Sequence, residues 1–141
     1  YKRQVLTVLA PNGEDYGDLN NYSVVLRLTY GEDSFLFTGD AEEASEEEML
    51  SLDWPLTATV LKCGHHGSET STSPAFLDAV SPQYAVISCG VDNDYGHPDA
   101  VTLEKLEAAG AEVFRTDRQG SILASTEGSG VTMTALGKAE E

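Results

Sequence analysis

Short apolar runs, each closed by glycine, proline or a polar cluster, divide this chain into strands and helices. Gln4 to Leu9 alternates and is apolar enough for a strand, and the turn-rich stretch from Pro11 to Asn21 reads as a loop. Ser23 to Tyr30 and Ser34 to Thr38 are β-branched or aromatic runs flanking Gly31, Glu32 and Asp33, the pattern of a β-hairpin. Ala41 to Leu52 is an acidic helix. Ser45 with Glu48 fits a capping box, so the helix proper is expected to begin at Ser45, with its acidic run as a solvated face.

After Pro55 the pattern changes to strand, helix, strand, helix, strand. Ala58 to Lys62 is a buried strand, and Pro74 to Val80 a short helix with Ser73 as N-cap and proline in its first turn. Tyr84 to Ser88 is a continuous apolar strand, expected to be buried on both faces. A helix from Pro98 or Asp99 to Ala109, stopped by Gly110, precedes a strand from Glu112 to Arg115. Gly120 to Ser125 and Val131 to Leu136 form a last hairpin, and Lys138 to Glu141 is expected to fray. The expected fold class is therefore α/β, one mixed β-sheet with flanking helices, in a single domain over residues 1–141.

Charge and composition narrow the chemistry. At 141 residues and a net charge of -16, with eight lysines and arginines scattered and no basic stripe, the surface repels polyphosphate unless cations or another protein segment offset it. No apolar run reaches the ~20 residues needed to span a bilayer. Cys63 and Cys89 lie on separate strands without C-x-x-C spacing, which excludes a cysteine zinc knuckle and reads as two buried thiols.

Candidate chemistry gathers after strand ends. Gly64-His65-His66-Gly67 follows the Ala58 to Lys62 strand, with a hydroxyl-rich segment from Ser68 to Ser73 behind it. His97 lies in the loop after the Tyr84 to Ser88 strand, and Asp40 ends the Ser34 to Thr38 strand. Parallel strands open such loops on the same sheet edge, where α/β proteins place their sites. Asp40 either caps the following helix or stands free in the loop before it. A carboxylate with imidazoles suits a first-row metal, and an aspartate can bridge two ions. Each histidine alone also fits an ordinary hydrogen-bonding role. A Ser/His/Asp hydrolase with Ser68 as nucleophile is the competing chemistry, but no G-x-S-x-G elbow is present.

Six separated motifs carry a resemblance: NNYSVVLRL (Asn20 to Leu28), FLFTGDAE (Phe35 to Glu42), VLKCGHHGSETSTS (Val60 to Ser73), P-x-YAVIS-x-G (Pro82 to Gly90), N-x-YGHP (Asn93 to Pro98) and RTD-x-x-G-x-I (Arg115 to Ile122). In this order they resemble the metallo-β-lactamase-like domain of ComEC-type DNA-internalisation competence proteins, and in particular its C-terminal half. The resemblance implies half of a four-layer αββα sandwich, whose first half carries the H-x-H-x-D-H metal motif that this sequence lacks. It implies Asp40 as a metal-bridging ligand and one of the HHGS histidines as a ligand, His65 being favoured because it follows the glycine directly. His66 and His97 are then the catalytic candidates, for substrate contact or proton transfer.

The implied cofactor is a divalent metal, zinc or manganese, held by the full-length parent. The implied parent is a bacterial plasma-membrane protein in which this soluble domain hydrolyses phosphodiesters of single-stranded DNA beside a transmembrane channel. Expected partners are the missing N-terminal half of the domain and a second copy of the chain through the uncovered sheet face. The isolated half is expected to be inactive. A non-catalytic structural or regulatory role is the alternative.

Overall fold

The computed structural model describes residues 3–137, so the tail at Lys138 to Glu141 lies outside the described residues. Six strands form one mixed sheet in sequence order: β1 (Gln4–Ala10), β2 (Val25–Tyr30), β3 (Asp33–Phe37), β4 (Val60–Lys62), β5 (Tyr84–Ile87) and β6 (Glu112–Arg115). The first three are antiparallel, and β3 to β6 run parallel through the crossover helices α1 (Glu43–Ser51), α2 (Pro74–Val80) and α3 (Ala100–Ala108). The strand–helix alternation thus forms the parallel half of the sheet, as its pattern requires.

All three crossover helices contribute to one core. Met49 of α1, Phe76, Leu77 and Val80 of α2, and Leu106 of α3 pack with Leu9, Val25, Leu36, Leu61, Ala85 and Ile87 from the strands. The helices therefore share one face of the sheet. Burial of about ten such side chains, each stabilising by about 1.5–3 kcal/mol, holds the strand ends that carry the loops.

The opposite face is also apolar. Strand register aligns Val8, Leu26, Phe37, Lys62, Val86 and Phe114 in one row, and Leu6, Leu28, Phe35, Val60 and Tyr84 in the next. Beside the one mixed sheet with flanking helices that was expected, the last hairpin, β7 (Ile122–Thr126) and β8 (Val131–Ala135), forms a two-stranded sheet of its own that lies across part of this face. Its tip is fastened to the start of β3. The buried Asp33 carboxylate accepts from the Gly130 amide at 2.9 Å and from the Thr126 hydroxyl, and the Glu32 amide donates to the Gly128 carbonyl. Between hairpin and sheet runs an apolar cleft of about 650 Å³ lined by Leu28, Phe35, Phe37, Val60, Val86 and Ile122. Beyond the hairpin, Leu6 and Val8 remain 60% exposed.

Three local expectations need correction. Helix α1 starts at Glu43, not Ser45; Ser45 lies inside it, buried, and its hydroxyl makes no hydrogen bond among the described residues. The reason is Asn21: its side-chain oxygen accepts from the Glu42 and Ser45 amides and so supplies the N-terminal acceptor from another element. The acidic run is not wholly a solvated face, because Glu46 is 1% exposed. Finally, Cys63 is buried, whereas Cys89 is only half-buried at the mouth of a loop. Burial pushes the Cys63 thiol up to about 12, which makes it an inert core group. Ser73 does cap α2 as read, accepting from the Phe76 amide.

Candidate active site

Three loops meet at the C-terminal edge of the parallel strands. The first follows β3. The Thr38 hydroxyl donates to the Lys62 carbonyl at 2.9 Å, and the Asp40 amide donates to the Ser23 hydroxyl at 3.1 Å. Asp40 is not the helix cap; Glu42 occupies that position, and the Asp40 side chain stays 44% exposed in the loop.

The second loop is the Gly64–Gly67 turn. Both histidines lie in the left-handed region, His65 at φ 44° and His66 at φ 55°. Each such non-glycine residue costs about 1–2 kcal/mol, so the surroundings must hold the turn in place. They do so from several sides: the His65 amide donates to the Gly39 carbonyl at 3.1 Å, the Ser71 hydroxyl to the Ala41 carbonyl, and the Thr102 hydroxyl to the Ser68 carbonyl. The flanking glycines are required by space. A Cβ on Gly64 would lie 2.8 Å from the Ala41 carbonyl oxygen, and one on Gly67, at φ 86°, 2.7 Å from Pro98 Cβ.

Glu46 reaches from α1 into the following segment. Its carboxylate accepts from the Thr72 amide at 2.5 Å and the Ser73 amide at 2.9 Å. Desolvation holds its carboxyl above the usual carboxylate range, against the opposing effect of these hydrogen bonds and of the Lys105 charge. Lys105 itself donates to the Glu69 and Ser71 carbonyls.

The third loop, after β5, is shaped by Asn93. Its side chain accepts from the His97 amide at 3.0 Å and donates to the Gly90 and His97 carbonyls. The His97 ring stacks on Tyr95 with centroids 5.8 Å apart, and lies 5.6 Å from the His65 ring. His97 Nδ1 is buried and makes no hydrogen bond among the described residues; it lies 3.5 Å from Asp99 Oδ2.

Asp40, His65, His66, Tyr95 and His97 line a single recess of about 180 Å³. All four residues singled out from the sequence therefore share one rim. His66 Nε2 is the ring nitrogen beside Asp40, 3.5 Å from Oδ1, while His65 Nδ1 is 3.0 Å from Glu42 Oε1. Ser68 is not in a triad: its hydroxyl pairs with that of Thr70 at 3.0 Å. The donors are of the kind that first-row metals take, oxygen and imidazole nitrogen. Their number falls short, since among the described residues no three His, Cys, Asp or Glu are arranged to hold an ion.

Sequence reasoning missed Glu42, Glu46, Tyr95 and Asp99. Neither glutamate had a legible signal, because in an acidic run the residues that a loop covers read the same as those that face water. Tyr95 and Asp99 had none, since their roles depend on how the 90–99 loop folds back.

The sequence has relatives among known proteins. The profile of the metallo-β-lactamase superfamily matches residues 4–91. ComE operon protein 3 of Bacillus subtilis is 40% identical over 115 residues, 82% of this chain and 15% of that protein. Competence protein ComA of Neisseria gonorrhoeae is 41% identical over 115 residues, 81% of this chain and 17% of its own length. Recombination protein 2 of Haemophilus influenzae is 34% identical over 115 residues, covering 82% and 14%. The chain thus spans about one sixth of the length of the curated relatives it matches. With a mixed sheet, strand-end loops bearing Asp40 and the histidines, and a profile match over more than half its length, the chain belongs to the metallo-β-lactamase superfamily.

Proposed function

We propose that this chain is the C-terminal part of a metallo-hydrolase domain that cleaves phosphodiesters of single-stranded DNA during natural transformation, within a membrane DNA-uptake protein. The observation that carries this reading is the meeting of Asp40, His65, His66 and His97 in one recess, on a chain 40% identical to ComE operon protein 3 and 41% identical to a protein named for competence. Asp40 and His65 are the metal ligands of this half, and His66 and His97 contact substrate or carry protons. Zinc or manganese, when bound, supplies a nucleophilic hydroxide and neutralises a phosphoryl oxygen. The remaining ligands come from a segment carrying H-x-H-x-D-H, whose sheet covers the apolar row from Val8 to Phe37.

The chain alone is accordingly inactive. With only a partial donor set and a charge of -16, it captures neither the ions nor a polyanion. The test is cleavage of a labelled single strand, after chelator treatment and metal restoration, by the 141-residue chain and by a protein joining it to the H-x-H-x-D-H segment. The expected result is turnover in the joined protein only, abolished by Asp40→Ala. Turnover by the chain alone would overturn the half-site reading. A joined protein that binds no metal would favour the second reading, a non-catalytic structural or regulatory domain, which the same shortage of ligands supports.

A further inference from the structure

The ring nitrogens of the two adjacent histidines are not equivalent, and their partners set which one carries the proton. His66 Nδ1 lies 2.7 Å from the Ser88 carbonyl oxygen. A backbone carbonyl offers only lone pairs, so this bond requires the hydrogen on Nδ1. His65 Nδ1 lies 3.0 Å from Glu42 Oε1, and an ionised carboxylate is likewise an acceptor only. A neutral imidazole with its hydrogen on Nδ1 keeps its lone pair on Nε2. The Nε2 of His66 faces Asp40 at 3.5 Å, and both rings line the recess that Asp40 lines.

Glu42 is itself held. Its Oε1 accepts from the Thr70 hydroxyl at 2.8 Å and from Asn20 Nδ2 at 3.3 Å, and its amide donates to Asn21 Oδ1 at 3.1 Å. Its side chain is only 15% exposed. A carboxylate anchored by a hydroxyl, an amide and a cap has one orientation to offer the ring beside it.

We propose that Glu42 is a positioning residue which, in parallel with the Ser88 carbonyl, fixes His65 and His66 as Nδ1–H tautomers, so that both present Nε2 lone pairs to the Asp40 recess. The turn is then prepared, before anything binds, to offer two imidazole nitrogens in the form that coordinates a cation or accepts a proton. This rests on the reading of the recess as an active site only for its purpose; the tautomers are a property of the chain itself.

Long-range proton–nitrogen NMR of the metal-free 141-residue chain, at a pH where the imidazoles are neutral, reads each tautomer directly. His65 and His66 are expected as Nδ1–H. In Glu42→Ala, His65 is expected to convert to Nε2–H while His66, still bonded to Ser88, does not change and reports that the turn is folded. Thr70→Val, which removes a neighbour of Glu42 and leaves the ring contact, is expected to keep His65 as Nδ1–H. Should Glu42→Ala not fold, Glu42→Asp withdraws the carboxylate by one methylene and is expected to shift His65 toward Nε2–H. An Nε2–H His65 in the unaltered chain, or one that stays Nδ1–H in every folded Glu42 variant, overturns the proposal. No metal or substrate enters this measurement, so its failure and a failure to cleave DNA are separate results.

Discussion

At the scale of the residue, the buried Glu46 carboxylate fastens the segment that follows the histidine turn to α1. It accepts from two amides, those of Thr72 and Ser73. Glu46→Ala is expected to destabilise the fold by about 1–3 kcal/mol for each amide left unpaired, measured by urea unfolding. Its pH dependence has a definite sign. The folded carboxyl is held above its ordinary value, so the folded chain keeps its proton at a pH where the unfolded chain has released it. The stability it contributes is therefore highest in acid, falls as pH rises through the window between the ordinary and the raised value, and is level above it. The stability difference between the unaltered chain and Glu46→Gln should shrink across that window, because other carboxylates cancel in the comparison. A difference that grows with pH would mean that hydrogen bonding outweighs desolvation at this site. Asp40, His65, His66 and His97 were legible as candidates because glycine and strand ends mark them in the sequence. Glu42 and Glu46 were not, because a run of acidic residues looks the same whether a loop covers it or water does.

At the scale of the element, the 64–67 turn and the 90–99 loop depend on each other through Gly67. The Gly67 carbonyl accepts from the Asp99 amide at 3.0 Å, and the space where a Cβ would lie is taken by Pro98. Gly67→Ala is expected to cost about 1–2 kcal/mol for the left-handed backbone and about 1–3 kcal/mol for the overlap, seen as a lowered melting temperature. Because Pro98 follows His97, the same change should also shift the His97 ring resonances, whereas Gly90→Ala should leave them nearer their original positions, since Gly90 is outside the left-handed region and a Cβ there meets only Asn93 Cβ, at 3.8 Å. Equal effects of the two substitutions would rule out the contact as the cause. The elements themselves were mostly readable: alternation, continuous apolar runs and the Ser73-Pro74 signal gave strands and helices to within a residue or two. What was not readable depends on distant partners. The one-turn helix Thr116–Gln119 is held by the Arg115 amide bonding to the Gln119 side chain and by the paired Arg115 and Asp117, and the start of α1 by Asn21. Four residues are too few to show a helical period.

At the scale of the whole molecule, two long-range properties oppose each other. The sheet face away from the helices leaves Leu6 and Val8, each 60% exposed, beyond the β7–β8 hairpin, and Phe37, 43% exposed, at the cleft beside it. An apolar strand face of this kind gains from being removed from water, at about 25 cal/mol per Å². The net charge of -16 repels a second copy. Salt acts on the second property and not against the first: the screening length falls from about 10 Å at 0.1 M to about 3 Å at 1 M. The isolated chain should therefore self-associate more strongly as salt rises, the reverse of an association driven by opposite charges. Sedimentation at several protein concentrations, in low and high salt, measures this. Leu6→Lys combined with Val8→Lys should abolish the association at little cost in stability, because both side chains are already 60% exposed. If the H-x-H-x-D-H segment docks on this face as proposed, the same pair should weaken that docking too. A chain that stays monomeric at every salt and concentration, or a lysine pair that leaves association unchanged, would show that the hairpin covers enough of the sheet and that the second layer of the domain attaches elsewhere.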